Sequence, residues 1–187
     1  AATAARAARA GVGDLVATRQ LALQDVAAAD ALPADVTFDG VLSNFGGLNT
    51  VGDWRGLAAA LAARVRVGGT AVLVPMGPVC PWETAWHVLH GEWETAVRRR
   101  RAPATAVIGG RAIPVWYPAA RTLRRAFAPW FTAVRCESLG LWLPPSHLGH
   151  LVARHPRFFR GAARLEQATA RWTGGWGDHY VLVLRRV

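Results

Sequence analysis

Side chains able to do chemistry gather at three places in this 187-residue sequence. The first is Ser43 to Asn49 (SNFGGLN), directly after the apolar run Phe38 to Leu42. Asn44 offers both donors and an acceptor, and Ser43 a hydroxyl. The second place follows the apolar run Thr70 to Met76, where Cys80, Trp82 and Glu83 stand close together. The third is Gly177-Asp178-His179, at the head of the terminal run Tyr180 to Leu184. An imidazole titrates near neutrality, and a carboxylate beside it influences its charge. Trp82 with Trp116 and Tyr117 can wall a planar or apolar molecule, a reading that competes with ordinary packing. His87 and His90 share a helix face but lack further ligands at suitable spacing, so no metal is expected. The run Arg98 to Arg101 can grip a phosphate or carboxylate, although a solvated face is the plainer reading.

The elements that position these groups follow from pattern. Phe38 to Leu42 reads as a buried parallel strand, and Asp53 as the N-cap of a helix through Leu57, Leu61 and Val65. In open α/β sheets ligands bind beyond the carboxyl ends of such strands, which marks Ser43 to Asn49 as the leading site. Ala2 to Ala10 reads as a helix and Leu15 to Leu23 as a strand. Val67-Gly68-Gly69 reads as a turn into the strand Thr70 to Met76, and Glu83 to Val97 as one helix. Gly109-Gly110 between Ala104–Ile108 and Ala112–Trp116 signals a hairpin. Pro118 to Phe127 reads as a helix, Phe131 to Leu143 as a strand, and Asp178 to Arg186 as the last strand. Between these last two, residues 144 to 176 carry a helix around Gly161 to Trp172.

Composition narrows the class. The chain is 52% hydrophobic and 18% charged, as a folded domain with a sizeable core requires. No uninterrupted apolar stretch of about 20 residues occurs, so a membrane partner is not expected, and a cytoplasmic location is the default. The formal charge is +10 and every basic residue is Arg. A basic surface attracts nucleic acid, but the arginines are spread along a chain rich in Ala, Gly and Pro, so codon bias is the plainer source.

Three pieces, FDGVLSNFGGLN, GGTAVLVPM and GDHYVLVLRR, together resemble the later part of a class I S-adenosylmethionine-dependent methyltransferase. The resemblance implies a Rossmann-like α/β three-layer sandwich, mostly parallel, with an antiparallel last strand. Leu15 to Leu21 would be its third strand, Phe38 to Leu42 the fourth, Thr70 to Met76 the fifth, Phe131 to Leu141 the sixth and Tyr180 to Leu184 the seventh. Residues 103 to 117 and 144 to 176 would be elaborations, the second a lid. The family's glycine-rich loop and the acidic end of its second strand have no counterpart, so the domain is expected to be N-terminally incomplete.

The same resemblance implies S-adenosylmethionine as cofactor. Ser43, Asn44 and Phe45 would lie against its methionine part, and Ala22, Leu23 and Asp25 against its adenine. Ala22 stands where the family often has an acidic residue. The acceptor would meet Cys80, Trp82, Tyr117 and His179, with His179 as base. A small-molecule acceptor is the first expectation. An RNA methyltransferase or RNA-binding module is a rival, and so is a non-catalytic scaffold that has lost its cofactor site. An arginine face, as opposed to scattered arginines, would favour RNA. The sequence does not disclose the acceptor or the oligomeric state.

Overall fold

The computed structural model describes residues 2–27, 36–101 and 103–187. Its centre is a four-stranded sheet of β1 (Phe38–Ser43), β2 (Val65–Leu73), β5 (Phe131–Leu139) and β6 (His179–Arg186), in the order β1-β2-β6-β5. β1 and β2 are parallel, and β6 is antiparallel to both β2 and β5. Three strands therefore point one way and the last strand, inserted between β2 and β5, points the other. This is the mixed sheet expected of the fourth to seventh strands.

Register explains the apolar alternation. Val41, Ala71 and Leu184 line up across the sheet, as do Leu73, Leu182 and Cys136. These positions meet the helices α2 (Trp54–Ala62) and α5 (Ala120–Phe127), whose Leu57, Leu61, Leu123 and Phe127 complete the core. Asp53 caps α2 as expected, its Oδ1 accepting the Gly56 N–H at 2.9 Å. Tyr180, fully buried, donates its hydroxyl to the Pro118 carbonyl at 3.0 Å and so ties β6 to the chain entering α5.

The expected first helix forms as α1 (Ala2–Arg9), but Leu15 to Leu23 does not form the expected strand. Gly13–Leu15 and Leu23–Ala27 are 3-10 turns, and 16 to 22 lie between them without ladder bonds. β-branched residues favour a strand only where a neighbour can pair, and β1, the sheet edge, has no partner on its outer side among the described residues. Val67-Gly68-Gly69 also departs from expectation. It is a bulge inside β2, with Gly68 at φ +78°, so β2 begins at Val65 and α2 ends at Ala62. The Glu83–Val97 helix divides into α3 (Pro81–Leu89) and α4 (Trp93–Ala96), because Gly91 takes φ +76° and reverses the chain between them.

β3 (Ala104–Ile108) and β4 (Arg111–Val115) form the hairpin, closed by two glycines at φ +57° and +77°. Both angles suit the two-residue turn whose twist matches a hairpin. The long segment before β6 holds α6 (Gly149–Arg154) and α7 (Pro156–Thr169). No helix among the described residues is long and apolar enough to cross a membrane.

Candidate functional site

The carboxyl ends of β1 and β5 and the start of β6 meet at one edge of the sheet. There a cavity of about 510 Å³ is bounded by Phe45, Leu139, Leu143, Pro144 and Pro145, with Asp178 and His179 as its ionisable lining residues among those described. His179 begins β6, and bridging to Met76 fixes its backbone beside the end of β2. Its Nδ1 lies 3.1 Å from Asp178 Oδ2. Its ring meets the edge of Phe45, the centroids 5.2 Å apart and the planes at 89°. Among the described residues Nε2 has no partner.

Phe45 reaches that ring through an unusual backbone. Its φ is +43°, the one positive value at a non-glycine among the described residues, and Gly46 follows at +86°. A bulky residue in the left-handed region costs of order 1–3 kcal/mol, and such strain gathers at functional sites. The turn then drops into Gly47–Thr50, where Asn49 is fully buried. Asn49 Nδ2 donates to the carbonyls of Met76 (2.9 Å) and Trp116 (2.6 Å), and its Oδ1 accepts the Met76 N–H at 2.9 Å. One amide thus joins the loop after β1 to the end of β2 and to the foot of the hairpin.

Behind Asp178 lies a buried charge network. Arg99 Nη2 contacts Asp178 Oδ1 at 2.6 Å and Glu83 Oε2 at 2.5 Å, and Nη1 donates to the Asp178 carbonyl at 2.9 Å. Arg98 Nε adds 2.9 Å to the other Glu83 oxygen. The Arg99 guanidinium also lies over the Tyr117 ring, 5.3 Å from its centroid. Burial alone would raise the Asp178 carboxyl, but hydrogen bonds from His179 and Arg99 and the Arg99 charge outweigh it and bring it to about 2. Glu83 is likewise held below the usual carboxylate range, burial being overcome by Arg99 and then Arg98. Asp178 therefore stays ionised beside His179 and favours the tautomer that donates from Nδ1.

The remaining expected site residues divide. Phe45 and His179 come together at the cavity. Ser43 and Asn44 close β1 beside it, Ser43 half-buried and Asn44 exposed. Ala22, Leu23 and Asp25 lie elsewhere, in the turn packed on α2. Leu23 lines a second cavity of about 380 Å³ with Val51, Gly52, Pro114 and Trp116, Asp25 is exposed, and the Ala22 carbonyl accepts the Asp25 N–H. Cys80 is fully buried at the N-cap of α3, and burial pushes its thiol up to about 11, so it faces no acceptor here. Trp82 packs on Phe159 of α7 (5.8 Å) and Tyr117 under Arg99, while Trp116 fills the space at Gly52. The three aromatic rings do not assemble into one wall. The sulfur of Cys80 and the carboxylates of Glu83 and Asp178 converge, yet both carboxylates are already held by Arg99.

Sequence reasoning placed Asn49 and Glu83 at strand ends and Arg99 in a basic run but gave them no partners, and it missed Glu166. Glu166 of α7 is buried and accepts three backbone N–H groups, from Gly140 (2.8 Å), Leu141 (3.1 Å) and Trp142 (2.8 Å), fixing the loop that walls the cavity. Its signal was available, since it is the sole acidic residue from Ser138 to Gly177. The run Arg98 to Arg101 was legible as a carboxylate grip, but nothing local set Arg99 apart from its three neighbours.

No family model and no curated protein matches the chain. Solved structures do. A candidate S-adenosylmethionine-dependent methyltransferase from Listeria monocytogenes matches with a TM-score of 0.54 at 10% identity, over 95% of this chain and 75% of that one. An S-adenosylmethionine-dependent methyltransferase from Mesorhizobium loti gives 0.48 at 14% identity, with the same coverage. The likeness to the first shows the fold, which is that of the class I methyltransferases, as the strand order had indicated.

Of a cradle for the cofactor that this fold implies, the described residues supply part. Ser43 and Asn44 offer polar groups at the end of β1, and Leu23 with Trp116 offers an apolar slot. Ser43 and Asn44 line neither cavity while Leu23 and Trp116 line the smaller one, Asp53 is committed to its cap, and among the described residues no glycine-rich strand-to-helix turn precedes β1.

Proposed function

We propose that the chain carries out S-adenosylmethionine-dependent methyl transfer to a small-molecule acceptor. The observation that carries the reading is His179, oriented by Asp178 and backed by Arg99, in a mostly apolar cavity beyond the carboxyl ends of β1 and β5. The cofactor, when bound, supplies a methyl group on a sulfonium. The protein's work is then to position an acceptor and strip it of water. With Nδ1–H given to Asp178, His179 keeps Nε2 to take a proton from an acceptor hydroxyl or similar group. Phe45 and the Leu139 to Pro145 wall exclude water around it, and Arg99 keeps the Asp178 charge in place. Residues 144 to 176, riveted to that wall through Glu166, serve as the cover of the site.

The split between the Leu23 slot and the β1 end favours a second reading, a methyltransferase-fold scaffold without a working cofactor site. Calorimetric titration of S-adenosylhomocysteine separates the two, using this chain and the full product of its reading frame. Binding, kept in His179→Ala while turnover in an acceptor screen is lost, is the expected result. A folded full-length protein that takes no S-adenosylhomocysteine would leave the scaffold reading standing.

A further inference from the structure

We infer that the outer face of α6 and α7 docks on an anionic lipid bilayer. From Ser138 to Gly177 the chain holds five arginines and one carboxylate, and that carboxylate, Glu166, is turned inward onto backbone N–H groups. Arg157, Arg160 and Arg164 are exposed and fall on one stripe of α7, at i, i+3 and i+7. Phe158 and Leu165, two turns apart, form a second exposed stripe, and Gly161 and Ala168 fill the lane between the two. Trp172, just past the helix, extends the apolar stripe and is 89% exposed; Phe158 is 65% exposed. Trp142 joins the same side, its Nε1 donating to Thr169 Oγ1 at 2.9 Å while its ring stays partly in water.

The pairing of stripes identifies the occupant. A row of arginines beside a row of Phe, Leu and Trp on one helix is the build of a segment lying in a membrane interface, with guanidinium groups at lipid phosphates and apolar side chains at the acyl boundary. The small residues between the rows let both reach one plane. A single-stranded nucleic acid would use the arginines and could stack on Trp172, but it gains nothing from Leu165. At the corner of the two helices Arg154 and Arg157 flank an open notch of about 560 Å³ beside Phe158, room enough for a headgroup. Such docking crosses no bilayer and does not depend on methyl transfer. It sets the cavity wall, fixed to α7 by Glu166, at the lipid surface.

The test is co-sedimentation of the full chain with vesicles of phosphatidylcholine alone, or of phosphatidylcholine and phosphatidylglycerol at about three to one. Binding is expected only to the anionic vesicles, and to weaken as salt rises. Arg157→Gln, Arg160→Gln and Arg164→Gln together should reduce it on the order of a hundredfold. Phe158→Ser with Trp172→Ser should also reduce it at least tenfold. All five sites are exposed, and thermal melts of both variants check that they fold. Absence of binding by the folded wild type overturns the inference. So does binding that ignores the Phe158 and Trp172 changes, or that single-stranded RNA abolishes equally in wild type and apolar variant. Either result would mark a general polyanion surface.

Discussion

Asp178 Oδ2 lies 3.1 Å from His179 Nδ1, and the same carboxylate gives its other oxygen to Arg99 Nη2 at 2.6 Å. The carboxylate is thus fully committed, one oxygen to orientation and the other to charge balance. Asp178 is held near 2 against an ordinary 3.8, so its ionised form is favoured by folding. The contribution is whole above about pH 4 and disappears as pH falls through about 2, of order 2 kcal/mol for one such group. Urea titrations from pH 5 to pH 2 should show the wild type losing stability over this window. Asp178→Asn should be less stable at pH 6 and should flatten the profile. An unchanged slope would mean that the Asp178 carboxyl does not interact as the geometry requires.

Arg99 is the centre on which two carboxylates depend. Removing it leaves Glu83 with Arg98 alone and Asp178 with His179 alone, each short of its buried partner, so Arg99→Met should cost about 3–5 kcal/mol. Arg99→Lys should recover only part, since one ammonium cannot reach both carboxylates, two carbonyls and the Tyr117 face together. The double change Glu83→Gln with Arg99→Met should be milder than the sum of the singles. Chemical denaturation of the four proteins measures the cycle.

Asn49 tests the joint between hairpin and sheet. Asn49→Ala would leave the Met76 N–H and the carbonyls of Met76 and Trp116 without this partner, at a cost of about 2–4 kcal/mol. Asn49→Asp should be no better, because the two carbonyls would then face a carboxylate that cannot donate. Amide exchange at Met76, read by NMR, should accelerate in both.

How far the sequence disclosed this arrangement depends on range. Asp53, Gly109-Gly110 and the alternation from Tyr180 to Leu184 declared a cap, a hairpin and a strand, because each rests on neighbours within a few positions. Leu15 to Leu23 misled, since its β-branched residues report a preference that only an adjacent strand can realise. Phe45 and His179 were both legible as strand-end residues, and their sheet positions bring them together. The partnership of Arg99 with Asp178, seventy-nine positions apart, is a tertiary fact that no local pattern holds. Trp82 and Tyr117 were legible as aromatic but not as to their neighbours, and α7 and Arg99 claimed them.

Phe45 separates stability from function most directly. At φ +43° its backbone is strained while its side chain is 63% exposed, so the ring contributes little to the core. Phe45→Gly removes the Cβ that the left-handed region penalises and should stabilise the fold by about 0.5–1 kcal/mol, offset in part by the flexibility of glycine in the unfolded chain. The same change deletes the edge contact to His179 and opens the cavity to water. A variant that melts higher yet binds an apolar probe of the cavity more weakly, followed by fluorescence and by the His179 ring shifts in NMR, is the expected pair of results. If Phe45→Gly is instead less stable and the His179 shifts are unmoved, the ring is a packing element and the strain at Phe45 has no part in the site.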